Sequence, residues 1–539
     1  MSIEIQTAFG HALPPAPRHA ITTHVPTWRS LERFRDHDPE LMGSFKSMYP
    51  RFWIHPDILQ LSAKIIEFSG EKEKACFIFP SLQTAQDAIG YSTSQRRGKD
   101  AVLRDHITIR IFIAQLPMFV VFFPPPSTGV VHGFWVHAGS GISSRFAEET
   151  LKHLDTLKEV QAGDPSLSKR ADSPAHVTLR QRIAGLLERA PADPPRDNKV
   201  GENDVYLFQT GMSSIYWVHQ YLLSKFNASS VLFGFAFHST IHILEDYGPG
   251  YEFLGLGTDD EIDKLEQHLS SLSEQGKTLQ AIWAEFPSNP LLVTPNLFRL
   301  RNLADTYQTL LIIDDTIGSF CSVDVLGVAD IVVSSLTKTF SGYADVMSAS
   351  AVLNPSSKRY AELKELFDDK YTNNFFAGDA ETLEQNSRTY LERSAVANNN
   401  AEAVVNYLQS KAADTNSRVK QVFYPTVSSS LNNYTPFMRK PTAEFKPGYG
   451  TLLSVEFDTL EATRTFYDNF HVHQGPHFGA HLTLTMGYTI GIYGTTLDWA
   501  AKYGLRIEQV RIGVGLEETQ ELLNVVKTAV DAADALVKS

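Results

Sequence analysis

The chain has 539 residues, enough for two or more domains and a large core. It is 43% hydrophobic and 20% charged, as soluble globular proteins are. Its net charge of −13, with no Lys/Arg block to offset it, argues against a nucleic-acid-binding surface. Cys76 and Cys321 are the only two cysteines, which excludes a disulfide framework or a four-thiolate metal site and fits a reducing, cytoplasmic setting. The opening residues MSIEIQTAFGHALPPAPRH do not read as a secretory signal. The most apolar run, residues 111–123, is too short for a bilayer span and contains Gln115 and Pro117, so no membrane association is expected.

Residues 1–60 read as an arm, kept extended at its start by Pro14, Pro15, Pro17 and Pro26 and ending in Ser47-Met48-Tyr49-Pro50-Arg51-Phe52. Residues 61–200 read as an N-terminal extension and linker. Residues 61–68 have the spacing of an amphipathic helix, 75–80 and 107–123 read as strands, the latter interrupted, and a helix opens near Ser143. Residues 160–200 carry Asp164-Pro165, Ser173-Pro174 and Asp193-Pro194-Pro195 around a helical patch at 179–187, and read as a partly mobile linker.

A large domain is expected over 201–394. A strand at 205–208 leads through Gln209-Thr210-Gly211-Met212 into an apolar helix, and a small-residue turn opening a helix is an anion site. Another buried strand spans 231–237. Residues 310–348, LLIIDDTIGSFCSVDVLGVADIVVSSLTKTFSGYADVMS, hold two short apolar strands, 310–313 and 331–333, each ending in polar groups. Ligands of parallel sheets sit beyond the carboxyl ends of the strands, so Asp314, Ser335, Thr337 and Lys338 are expected to share one crevice. Pyridoxal phosphate calls for such a set: an amine for a Schiff base, a carboxylate to keep the pyridine nitrogen protonated, and donors for the phosphate. Read alone, Ser-x-Thr-Lys is equally an ordinary strand exit with an exposed lysine. A smaller domain is expected over 395–539, with a crossing helix at 395–411, strands at 449–457 and 510–513, and a last helix at about 517–538.

Four segments in order resemble the Cys/Met-metabolism family of pyridoxal-phosphate enzymes, and the long N-terminal part is similar to that of its fungal cystathionine γ-synthase-like members. They are Glu285-Phe286-Pro287-Ser288-Asn289-Pro290, Ile313-Asp314-Asp315-Thr316, Ser335-Leu336-Thr337-Lys338 and Ser341-Gly342-Tyr343-Ala344-Asp345-Val346. The resemblance implies an α/β, fold-type I transferase, with a mostly parallel seven-stranded sheet in the large domain, a smaller α+β C-terminal domain and an extended N-terminal arm. It implies pyridoxal 5′-phosphate joined to Lys338, with Asp314 at the ring nitrogen and Gly211, Met212, Ser335 and Thr337 around the phosphate. Tyr49 and Arg51 match an arm pair that reaches the phosphate of a neighbouring subunit; the loop 135–145 is a second candidate for that contact. Arg511, in Val510-Arg511-Ile512-Gly513, would take the substrate α-carboxylate, with Asn289 beside it.

Two positions depart from the family pattern. Phe237 stands where a tyrosine usually stacks on the ring, so it can stack but moves no proton. His477, in Gly475-Pro476-His477-Phe478-Gly479, replaces a serine that orients the lysine. His242, five positions after Phe237, is a candidate for a distal substrate carboxylate. The expected activity is γ-replacement on an O-acyl-L-homoserine, O-acetyl-L-homoserine first, through a vinylglycine-type intermediate. The nucleophile would be a thiol such as cysteine, or a carbon nucleophile of specialised metabolism. Elimination to 2-oxobutyrate and a non-catalytic cofactor-binding role stay open. A homodimer or homotetramer with shared sites follows from the same resemblance.

Overall fold

Alternation of apolar residues in short runs builds three sheets in the computed structural model, which describes residues 7–167, 171–192 and 196–536. The first sheet is antiparallel, in the order β1-β3-β2-β4, from β1 (Ala75–Phe79), β2 (Thr108–Ala114), β3 (Leu116–Phe123) and β4 (Lys158–Val160). Gln115 is the break between β2 and β3; it takes a positive φ of 60° and turns the chain back on itself.

The central sheet has seven strands: β5 (Val205–Phe208), β6 (Ser230–Phe233), β7 (Tyr251–Leu254), β8 (Ala281–Glu285), β9 (Leu310–Asp314), β10 (Ile331–Ser334) and β11 (Ala349–Leu353). Their order is β5-β11-β10-β9-β8-β6-β7, parallel from β10 through β7 and antiparallel on both sides of β11. Both faces are covered. Leu310 and Ile312 enter the core that contains the helix Gly211–Phe226. Leu311 and Ile313 enter the opposite core, with the helices Asp259–Glu274 and Leu297–Thr306. Burial on both sides is why these strands read as unbroken apolar runs.

The third sheet, β12 (Val419–Phe423), β13 (Leu452–Phe457), β14 (His473–Gln474), β15 (Leu484–Met486) and β16 (Gln509–Gly513), runs in the order β12-β13-β16-β15-β14. It shares a core with the helices Tyr390–Ala412, Leu460–Asn469 and Thr519–Asp534. No helix among the described residues is long and apolar enough to cross a membrane.

Two expectations change. The stretch 160–200 holds the helix Pro174–Leu187, whose Leu179, Ile183 and Leu187 are buried in the core of the central sheet. Apolar residues on one helical face anchor this stretch, contrary to the reading as a mobile linker; its Pro194 and Pro195 lie outside the described residues, as does the expected tail of the last helix beyond 536. The arm is not extended throughout. It contains the helices Trp28–Arg35 and Pro39–Ser44. Trp28 and Leu31 enter the C-terminal core, with the Trp28 ring edge-on to Tyr467 at 5.6 Å. Burial of a tryptophan is a large apolar gain, which fixes where the arm runs.

Candidate active site

The central sheet ends its strands on one crevice with about 860 Å³ of empty space. Glu285 closes β8, Asp314 closes β9, and Ser335 follows β10. The turn after β5 contributes Gly211 and Met212, and the third sheet contributes Arg511 from β16. Tyr49, Phe52, Phe237, Asn289, Lys338, Phe478, Tyr488 and Ile492 complete most of the lining.

The helix Gly211–Phe226 starts at the crevice because Thr210 caps it. The Thr210 hydroxyl accepts from Ser213 N, and the Ser213 hydroxyl accepts from Thr210 N. The Gly211 and Met212 amides have no acceptor among the described residues. A Cβ on Gly211 would lie 3.0 Å from the Ser335 Cβ, so this turn and the Ser335 loop approach as closely as glycine allows. Ser335 N donates to the Thr316 hydroxyl at 2.8 Å, and Thr316 N donates to Asp314 Oδ1 at 2.9 Å. That chain of bonds ties the hydroxyl-bearing loop to the acidic strand end.

Three basic side chains face the crevice. Lys338 has no carboxylate partner among the described residues; its Nζ lies 3.3 Å from His477 Nδ1. Burial, then the Arg511 and Arg51 guanidiniums, push the Lys338 ammonium well below its usual range. Arg51 donates to the Val136 carbonyl and to Ser239 Oγ at 3.0 Å, and its guanidinium lies 4.4 Å from the Phe52 ring centroid. Arg511 donates to Asn289 Oδ1 at 3.3 Å and to the Pro476 carbonyl at 2.8 Å, and stacks 4.4 Å from the Tyr488 ring. Burial lowers Arg511 to about 10. Burying charge without a counter-ion is costly, so a crevice lined by two such guanidiniums and an unpaired amine is built for anionic ligands.

The acidic side is the mirror case. Burial raises Asp314, opposed by the Thr316 hydrogen bonds. Glu285 is raised by burial and by Asp314 beside it, while the N–H groups of Phe237 and Asn289 donate to its two oxygens. Glu285 is thus committed to the backbone, and Asp314 keeps an oxygen for a ligand cation.

The site residues nominated from the sequence separate into two groups. Lys338, Asp314, Gly211, Met212, Ser335, Phe237, Asn289, Arg511, Tyr49 and Arg51 converge on the crevice. His477 is buried behind Lys338, touching it from outside the open space; burial and then Lys338, Arg511 and His473 hold its imidazole well below the usual range. Thr337 and His242 differ from expectation. The Thr337 hydroxyl is buried outside the lining, donating to the Ser348 carbonyl at 3.1 Å and accepting from Ser348 N at 3.0 Å just before β11, and it also contacts Tyr49 of the lining. His242 turns away: its Nε2 is 3.2 Å from His238 Nε2 and its Nδ1 is 3.2 Å from Glu245.

Tyr49 and Arg51 line the crevice of this same chain. The expected loop 135–145 begins inside the helix Thr128–Ala138: Trp135 Nε1 donates to the Pro50 carbonyl and Arg51 donates to the Val136 carbonyl, so this helix end clamps the arm in place. The segment 135–145 is a brace and makes no lining of its own: the Gly139 carbonyl accepts from the Thr210 hydroxyl, and Arg145 pairs with Asp379 and Asp345. Glu285, Thr316 and Tyr488 are functional-site residues to which the sequence assigned no role. Glu285 and Thr316 lie inside the quoted segments; Tyr488 has no local signature.

The chemistry of this donor set fits pyridoxal phosphate: a poised amine, a carboxylate one strand away, and amides, a hydroxyl and a guanidinium for a phosphate. Residues 160–531 match the family model described as Cys/Met metabolism PLP-dependent enzyme, and residues 57–143 match the fungal trans-sulfuration enzyme N-terminal domain. The chain belongs to the Cys/Met-metabolism family, and it is a pyridoxal 5′-phosphate-dependent enzyme of the cystathionine γ-synthase-like type.

It is 34% identical to the cystathionine gamma-synthase-like enzyme iboG2 of Amanita muscaria, over 97% of this chain and 96% of that protein. It is also 34% identical to the alanine racemase ungC of Aspergillus violaceofuscus, over 96% of each. The cystathionine gamma synthase of Xanthomonas oryzae pv. oryzae, in complex with aminoacrylate and cysteine, shares the fold. Its TM-score is 0.55 at 20% identity, with 70% of this chain and 91% of that one covered.

Proposed function

We propose that this enzyme catalyses γ-replacement on an O-acyl-L-homoserine, with O-acetyl-L-homoserine as the first candidate. The observation that carries it is that three basic side chains with no carboxylate partner among the described residues, Arg51, Lys338 and Arg511, line one crevice together with Asp314. Arg51, the Gly211 and Met212 amides and the Ser335 hydroxyl would hold the cofactor phosphate. Asp314 would sit at the ring nitrogen, Phe237 against the ring, and Arg511 with Asn289 would hold the substrate α-carboxylate. When bound, the cofactor supplies an electron sink for carbanions at Cα and Cβ.

Lys338 then acts as the base. Burial, then Arg511 and Arg51, favour its free amine over the ammonium, and no carboxylate among the described residues opposes them, so it can take a proton from Cα. Phe237 leaves no phenol on the stacking side, so Lys338, with His477 Nδ1 at 3.3 Å, would handle the further proton transfers. Apolar side chains over the crevice exclude water, which favours addition at Cγ over hydrolysis. Assembly as a homodimer or homotetramer belongs to the same proposal.

The test is incubation of holoenzyme with O-acetyl-L-homoserine, with and without an added nucleophile. Acetate release coupled to a Cγ-linked product supports replacement. Acetate with 2-oxobutyrate and ammonia in the presence of nucleophile makes the enzyme a lyase, and no acetate removes the donor assignment. Lys338→Ala is expected to abolish turnover and the visible absorption of the bound cofactor.

A further inference from the structure

A second amino acid entering the crevice as nucleophile would bring its own carboxylate and ammonium. The charged side chains that line the crevice are Arg51, Glu285, Asp314, Lys338 and Arg511. On the reading above, Arg51 serves the phosphate, Lys338 the imine, Asp314 the ring nitrogen and Arg511 the donor's α-carboxylate. Glu285 is filled by the Phe237 and Asn289 amides. No cation of the crevice lining remains for a second carboxylate. The one the sequence offered, His242, faces His238 and Glu245 instead. The remaining wall is mostly apolar, Phe52, Ile215, Phe237, Ile317, Phe478 and Ile492; the Tyr49 and Tyr488 phenols also line it, uncharged, with the Tyr488 hydroxyl accepting from Asn289 Nδ2 at 3.4 Å.

We propose that the nucleophile is an uncharged molecule with an apolar body, a neutral thiol or carbon acid, and that cysteine and other charged acceptors are rejected. This rests on the γ-replacement reading and names its second substrate. The reaction balances without a redox partner. The Cγ–O bond breaks and the carboxylate leaves with the electron pair; the new Cγ–S or Cγ–C bond uses the acceptor's pair, and the acceptor's proton ends on the released acid. A charged acceptor would have to bury its carboxylate against phenyl and aliphatic groups, which strongly disfavours it.

The experiment offers holoenzyme and O-acetyl-L-homoserine three thiols in turn: 1-butanethiol, 3-mercaptopropionate and L-cysteine. Acetate and the thioether product are measured separately. The neutral thiol is expected to exceed both charged ones in kcat/KM by at least about a hundredfold. Calorimetric titration of the same thiols should show heat of binding for 1-butanethiol alone. In Ile492→Lys, which places a cation on the apolar wall, the preference should shrink or reverse toward 3-mercaptopropionate. Equal use of cysteine and 1-butanethiol would overturn the inference and leave the donor assignment intact. Acetate release with no thioether from any thiol would also overturn it, again sparing the donor. No acetate at all would remove both.

Discussion

His477 and Lys338 are two nitrogen bases in contact, Nδ1 to Nζ at 3.3 Å. Burial first, then neighbouring cations, push both well below their usual ranges: Arg511 and Arg51 act on Lys338, and Lys338, Arg511 and His473 act on His477. Because His477 is outside the open crevice, it positions the lysine rather than touching substrate. His477→Ala should therefore lower kcat by about 10- to 100-fold through misplacement of the amine, with KM and cofactor absorption little changed. A parallel rise in KM would mean that the imidazole contacts substrate directly.

The same burial gives a pH signature in the apoprotein. The folded pKa of Lys338 lies below its unfolded value of 10.5, so the cost of burying the ammonium is complete at low pH. Stability is regained as pH rises from the folded pKa toward 10.5. Lys338→Met removes an amine whose ammonium form the fold disfavours and should stabilise the apoprotein by about 1–4 kcal/mol near neutral pH. The gain should fade toward pH 10; urea denaturation of both apoproteins at several pH values measures it, and a gain that does not depend on pH would contradict the buried-charge account.

At the scale of elements, the crevice depends on loops pressed against one another. Gly479 has φ of +76°, and a Cβ there would stand 2.8 Å from Thr339 N and 3.0 Å from the Lys338 carbonyl carbon. Backbone meets backbone at that point, so no side chain can swing aside. Gly479→Ala is expected to cost about 1–3 kcal/mol and to move Lys338 off the cofactor, seen as a lower denaturation midpoint together with weakened cofactor absorption. A fully coloured, equally stable variant would show that the loop yields.

The strands carrying Asp314 and Lys338 were legible because doubly buried strands leave continuous apolar runs, and their polar ends mark the ligand side. Arg511 was legible only through the resemblance of its segment, Val510-Arg511-Ile512-Gly513, to the family's. What failed to read out was direction. His242 lies one turn beyond His238 on the helix His238–Asp246, and that shared face packs toward His137, with ring centroids 4.4 Å apart for His137 and His242. Thr337 sits in a hydroxyl-rich motif, but its partner Ser348 comes from a crossing segment that no local pattern reveals. Tyr488 reaches the crevice only because the third sheet packs over it.

At the scale of the whole molecule, the question is which chain completes which site. Composition and motif could place Tyr49 and Arg51 on an arm, but where an arm ends is decided by tertiary packing. Here the helix Trp28–Arg35 is fixed to the C-terminal domain by Trp28 and Leu31, and by Trp28 N donating to Asp468 Oδ1 at 2.6 Å. The chain from that anchor to Arg51 is clamped again by Trp135 and Val136 of its own N-terminal extension. Arg51 and Lys338 line the same crevice within this chain, and each site is expected to draw both from one polypeptide. Arg51→Ala and Lys338→Ala subunits, each inactive or nearly so alone, should then gain no activity when unfolded together and refolded as mixed oligomers. If the arm crossed between subunits, half the sites in a mixed dimer would carry both native residues and activity would return. Recovery toward a quarter or more of the wild-type rate would thus place the arm across the interface, while its absence alongside demonstrated mixing by mass spectrometry is the outcome that this packing requires.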